Sequence, residues 1–155
     1  MLCEKRIPLK LKGKFYKTAI RPAMLYGAEC WAAKKQHVHK MSVAEMRMLR
    51  WMSGKTINDK IRNESIHGSL DVAPISDKMR ESRLRWFGHV QRRPMTTPVR
   101  QSETVQVEGA RKTRGRLKLT WVEVVKRDMA ACNLTADMAL NRAEWWNRIR
   151  VADPK

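Results

Sequence analysis

The chain has 155 residues, 43% of them hydrophobic, with 33 lysines and arginines against 15 aspartates and glutamates, a formal charge of +18 and a pI near 10.6. That length suffices for one helical core, and the excess of cations favours a polyanionic partner. No stretch approaches the roughly 20 apolar residues of a spanning helix, and the N-terminus lacks a signal-peptide apolar run, so an anionic membrane is disfavoured and an intracellular nucleic acid, nuclear or cytoplasmic, is favoured.

Periodicity is helical nearly throughout and no long run of alternating β-branched residues occurs, which predicts an all-α chain. The expected architecture is a helical bundle of about five helices with a long basic irregular linker and a C-terminal helical hairpin. Residues 1–93 form a basic helical region, 94–118 the linker and 119–155 the hairpin. The first helical stretch covers residues 8–32 and is kinked or broken at Pro22, which cannot donate to the Thr18 carbonyl. Residues 39–52 form the next helix, with Met41, Met48, Leu49 and Met52 on the apolar side and Gly54 as a left-handed cap; Ser42 and Glu45 match a capping box, which allows a later start. A short helical piece at 58–66 and a turn-rich connection at 68–74 follow. The helix at 76–92 is expected to bury Met79, Trp86 and Val90, with Leu84 and Phe87 at the margin. From Pro94 to Leu117 the helical period fades among Pro94, Pro98, Gly109 and Gly115. Thr120 and Glu123 form a capping box for a helix with Trp121, Val125, Met129 and Cys132 on one face, stopped at Asn133. Thr135 caps a last helix that faces inward with Ala139, Ala143, Trp146 and Ile149.

Charge is unevenly placed along these elements. Residues 1–118 carry 27 basic and 10 acidic side chains, whereas residues 119–155 carry 6 and 5. On a 100° wheel Lys10, Lys14, Lys17 and Arg21 fall within about 60° of one another, with Leu11, Phe15 and Ala19 toward the opposite side. Lys78, Arg85 and Arg92, seven apart each time, lie opposite Met79, Trp86 and Val90, and Arg93 continues that cluster. A third group, Arg111, Lys112, Arg114, Arg116 and Lys118, contains no acid. Its Arg114-Gly115-Arg116 centre resembles an AT-hook with Leu117 in place of proline, and a nuclear-localisation signal or a basic linker fits the same residues. Solvated helix faces account for most lysines and arginines in proteins, but the recurrence of such faces at this net charge favours phosphate contact. The six tryptophans, Trp31, Trp51, Trp86, Trp121, Trp145 and Trp146, read mostly as core, with Trp145 the exposed exception.

Catalytic chemistry finds no support in the residues. There are no adjacent aspartates or Tyr-x-Asp-Asp-like turn for two-metal nucleotidyl transfer, no nucleophile motif and no Gly-rich phosphate loop. Cys3, Cys30 and Cys132 are scattered, and with His37, His39, His67 and His89 they make no zinc spacing, so neither a metal nor another cofactor is expected.

The segment Ile7-Pro8-Leu9-Lys10-Leu11-Lys12-Gly13-Lys14-Phe15-Tyr16, followed by Arg21-Pro22-Ala23-Met24-Leu25-Tyr26-Gly27-Ala28-Glu29-Cys30-Trp31, resembles the stretch beyond the palm of plant LINE-type (non-LTR) retrotransposon reverse transcriptases. Residues 41–51, 83–90 and 121–128 resemble later blocks of that family in the same order. The resemblance implies a truncated, thumb-like region that grips RNA, DNA or an RNA–DNA hybrid at the backbone with little sequence preference. It places the palm and its catalytic aspartates upstream of Met1, so the chain is expected not to be an enzyme, and it marks Lys10, Lys14 and Lys17 as backbone contacts. Ser53 in place of a cysteine and Leu117 in place of a proline imply a decayed copy. A region cut from its palm is expected to expose apolar surface and self-associate. The competing expectations are a protein-interaction module built on Trp-rich helix faces, a chain with no retained cellular function, and a fragment that complements a palm supplied by another chain.

Overall fold

In the computed structural model, which describes residues 6–104 and 119–154, all regular structure is helical and no strand occurs among the described residues. Helix α1 (Leu9–Phe15) runs through a π turn (Tyr16–Ile20) into α2 (Arg21–Leu25). Pro22 accounts for the wide turn, because its ring crowds the carbonyl four residues back and it has no N–H to offer. Ahead of it the Arg21 N–H reaches the Tyr16 carbonyl five residues earlier, so the expected break at Pro22 is a change of helical register.

Helix α3 (Lys35–Ser53) starts four residues ahead of the expected position and ends at Gly54, as expected. Gly54 has φ 66°, and the Lys55 N–H bonds the Arg50 carbonyl at 2.9 Å, closing a Schellman-type end. Ser42 and Glu45 make no capping box, since both lie inside α3. Ser42 Oγ donates to the Val38 carbonyl, and Glu45 is buried. Helices α4 (Asn63–Ser69), α5 (Ile75–Gln91) and α6 (Pro98–Thr104) follow. Helix α6 lies within the segment expected to be irregular; Pro98 at its first position has the fixed φ that a helix start tolerates. Helix α7 (Trp121–Ala131) opens on the expected Thr120/Glu123 capping box, with both reciprocal bonds formed. It is stopped at Asn133, whose φ is 52°. A 3₁₀ turn (Asp137–Leu140) then leads to α8 (Arg142–Ile149), capped by Asn141 rather than by Thr135.

Helix α5 is the centre of the packing. Its Leu84 and Phe87 share a core with Val125, Met129, Leu134, Ala139, Trp145 and Ile149. The expected C-terminal hairpin is therefore two helices laid on α5, with Phe87 between Trp121 and Trp145 at centroid distances of 6.4 and 6.0 Å and tilted by 44° and 46° to their rings. Met79 and Val90 are buried as expected, but Leu84 and Phe87 also point inward and Trp86 sits at the margin, an exchange of the expected places. A second core joins Tyr16 of the π turn to Leu49 and Met52 of α3 and to Ile66, Leu70 and Val72.

The face that α1 buries is also unexpected. Lys12, Gly13 and Tyr16 are inside, while Leu11 and Phe15 are 56% and 46% exposed. Gly13 sets this orientation: a Cβ there would fall 1.8 Å from the Leu70 carbonyl oxygen, so only glycine lets α1 approach the end of α4 this closely. Lys12 is held by its partner, with Nζ donating to the Met52 carbonyl at 2.8 Å in the last turn of α3, where helix carbonyls favour a cation. Burial pushes the Glu45 carboxyl up, against hydrogen bonds received from the Ile75 N–H and the Tyr16 hydroxyl, both at 2.9 Å.

Candidate nucleic-acid interface

The four cations of the first stripe have different fates. Arg21 donates both Nη atoms to Asp153, at 2.7 and 3.0 Å, and is mostly covered. Lys17 donates to the Asp71 carbonyl at 2.9 Å, and Lys10, though largely exposed, lies 3.7 Å from the Asp71 carboxylate. Lys14 is exposed, with no side-chain bond or ion pair among the described residues. The stripe is thus chiefly a seam that ties α1 and α2 to the α4–α5 connection and to the C-terminal tail. Asp153 is the anchor. Burial raises its pKa, but the Arg21 bonds, the Ala73 N–H and the charges of Arg21 and Lys78 outweigh burial and hold the carboxyl at about 2.

The α5 row is divided in the same manner. Lys78 donates to Glu81 Oε2 at 2.9 Å and to the Val151 carbonyl, so it serves the tail and offers little to a phosphate. Arg85 donates to Glu81 Oε1 at 2.6 Å and lays its guanidinium over Trp146, 4.6 Å from the ring centroid. Burial pushes Glu81 up, yet the bonds from Lys78, the Val151 N–H and Arg85 keep it below the usual carboxylate range. Arg92 donates Nη1 to the Ala139 carbonyl at 2.6 Å, and Arg93 Nε donates to His89 Nε2 at 3.3 Å. Arg83, which the sequence did not single out, is buried against Asp128 at 2.7 Å and ties α5 to α7. Arg111, Lys112, Arg114, Arg116 and Lys118 lie outside the described residues.

Arg85, Arg92 and Arg93 meet a fourth arginine, Arg142 at the start of α8, along an open cleft of roughly 1150 Å³ between α5 and α8. Trp86 and Trp146 also line it, as does His89, which stacks on Trp86 at 5.5 Å with 25° between the ring planes. Among the described residues, Glu29 supplies its one acidic side chain. Burial, and then the facing charge of Arg142, lower the pKa of Arg92 from its ordinary value. Two guanidiniums that repel each other in a shared cleft are stabilised by an anion between them. The cleft is larger than the usual small-molecule pocket of about 300–1,000 Å³, and its open form suits a chain passing through.

No protein-family model matches the chain, and no solved structure matches it. Over 115 residues, 74% of its length, it is 27% identical to the RNA-directed DNA polymerase from mobile element jockey of Drosophila funebris, of which it spans 12%. The chain is similar to part of a non-LTR retrotransposon reverse transcriptase. That likeness coincides with a cleft whose cations and rings suit a polynucleotide, although the two findings are independent.

Sequence reading found three of the four cleft arginines and missed Arg142, which stands in a segment of almost no net charge. It also exchanged the roles of two neighbouring tryptophans. Trp145 is 2% exposed and donates Nε1 to the Leu84 carbonyl at 2.9 Å, whereas Trp146 is 39% exposed in the cleft. Trp31 and Trp51 are exposed as well, so fewer tryptophans are core than their spacing implied. Among the described residues no three His, Cys, Asp or Glu side chains are placed to hold a metal ion, and no helix is long and apolar enough to cross a membrane.

Proposed function

We propose that this chain is a noncatalytic, thumb-like fragment of a LINE-type reverse transcriptase, of the plant group its sequence blocks resemble, which binds RNA or DNA backbone with little sequence specificity. The observation that carries the reading is the convergence of Arg85, Arg92, Arg93 and Arg142 with Trp86 and Trp146 on one cleft. The similarity to an RNA-directed DNA polymerase supports it. Four arginines able to displace condensed counterions give a strongly salt-dependent affinity, weakened by about 50-fold to 150-fold between about 50 and 200 mM salt. Fluorescence-anisotropy titration of two oligonucleotides of unrelated sequence tests this. Similar affinities that fall together with salt are expected, and no association by folded protein in dilute buffer would end the proposal.

A second reading has its own support. Leu11, Phe15 and Tyr26 are 56%, 46% and 88% exposed along α1 and α2, a surface that suits self-association or a protein partner. Association through that face would persist as salt rises, which distinguishes it from phosphate binding.

A further inference from the structure

We infer that the α5–α8 cleft takes unpaired nucleotides, with bases stacked on Trp86 and Trp146 and phosphates held by Arg92 and Arg142. This rests on the reading of the cleft as a nucleic-acid surface and specifies which form of nucleic acid occupies it.

The rings and the cations of the cleft call for different parts of the same ligand. Duplex DNA or RNA presents phosphates and groove edges but hides the faces of its bases, so a duplex would satisfy the arginines and leave the rings without a partner. An unpaired strand presents both. The rings are also held ready. Trp86 and His89 are stacked on α5, and His89 is fixed by the Arg93 Nε bond to its Nε2. On the other wall Trp146 stays 39% exposed although Arg85 lies over it. The buried carboxylate of Glu81, 2.6 Å from Arg85, holds the guanidinium 4.6 Å over the centre of that ring, so it acts as part of a flat stacking surface.

Phosphate neutralisation then falls to the remaining arginines. Arg142 is exposed and has no side-chain bond among the described residues, and Arg92, bonded through Nη1 to the Ala139 carbonyl, faces it. The arrangement is a line of cations beside two separate aromatic surfaces, the combination that tracks a single strand without reading its sequence.

Three ligands of equal length separate the possibilities: an oligothymidylate, the corresponding abasic sugar-phosphate chain, and a duplex. The oligothymidylate should bind at least about fivefold more tightly than the abasic chain for each stacked base. Trp146→Ala, at a position already partly open to solvent, should weaken oligothymidylate binding by about that factor more than it weakens abasic-chain or duplex binding. Arg142→Gln should weaken all three alike. Quenching of tryptophan fluorescence by oligothymidylate should fall in Trp146→Phe, a readout that does not depend on the more disruptive Trp86 substitution. Equal binding of the three ligands, with the Trp146 variants indistinguishable from wild type, would overturn the stacking assignment while leaving backbone binding intact. Absence of binding by all three would overturn both.

Discussion

The pair formed by Arg21 and Asp153 spans 132 positions of sequence and holds the C-terminal tail against α2 and the α4–α5 connection. Its contribution can be worked out from the carboxyl group, which titrates at about 2 in the folded chain against an ordinary 3.8. At 1.36 kcal/mol per tenfold change this difference is about 2 kcal/mol. Because the folded value is the depressed one, the stabilisation is complete above pH 4 and is lost as pH falls from about 4 toward 2. Asp153→Asn should therefore destabilise the neutral protein by about 2 kcal/mol and abolish that acid-side step. Asp153→Ala should cost somewhat more, about 3 kcal/mol, since it strands a mostly covered guanidinium. For a chain of this size 2 kcal/mol lowers the melting temperature by roughly 4–8 °C. Urea unfolding followed by circular dichroism between pH 2.5 and 7 measures both effects. An Asn variant as stable as wild type at pH 7, with the same loss below pH 4, would refute the assignment.

Other substitutions probe the packing around the site. Gly13→Ala drives a Cβ into the Leu70 carbonyl, which is backbone and cannot turn aside, so a loss of about 3 kcal/mol is expected in the same unfolding assay. Trp145→Phe removes the Nε1 donor from the Leu84 carbonyl and should cost about 1–2 kcal/mol in urea unfolding. Thr120→Ala removes the cap of α7 and should cost about 1 kcal/mol, read as a small drop in melting temperature.

Which features were legible follows from the range of the interactions that fix them. The Thr120/Glu123 box, Gly54 and Asn133 act within one helical turn, and sequence alone located all three. Trp145 and Trp146 were exchanged because the wheel was counted from Ala139, across a 3₁₀ turn and the extended Asn141, both of which rotate the phase before α8 begins. In α1 the hydrophobic pattern pointed Leu11 and Phe15 inward, but the approach of Gly13 to Leu70 and the bond from Lys12 to Met52 turn the helix the other way. Charge periodicity identified cations without showing where carboxylates distant in sequence would meet them. Arg21 and Lys78 are consequently structural partners of Asp153 and Glu81, while Arg85, Arg92 and Arg93 do reach a common cleft. Arg142 was hidden by averaging, since the charge of its own segment is nearly balanced.

The central claim is that the cleft arginines are the phosphate contacts. Affinity for one oligonucleotide, measured across a salt series with wild type and with the Arg92→Gln/Arg142→Gln double variant, tests it most directly. With these two phosphate contacts removed, the slope of log affinity against log salt should become shallower by about 1.4–1.8, with the helical circular dichroism preserved. A folded double variant with the wild-type slope would show that the phosphates are held elsewhere.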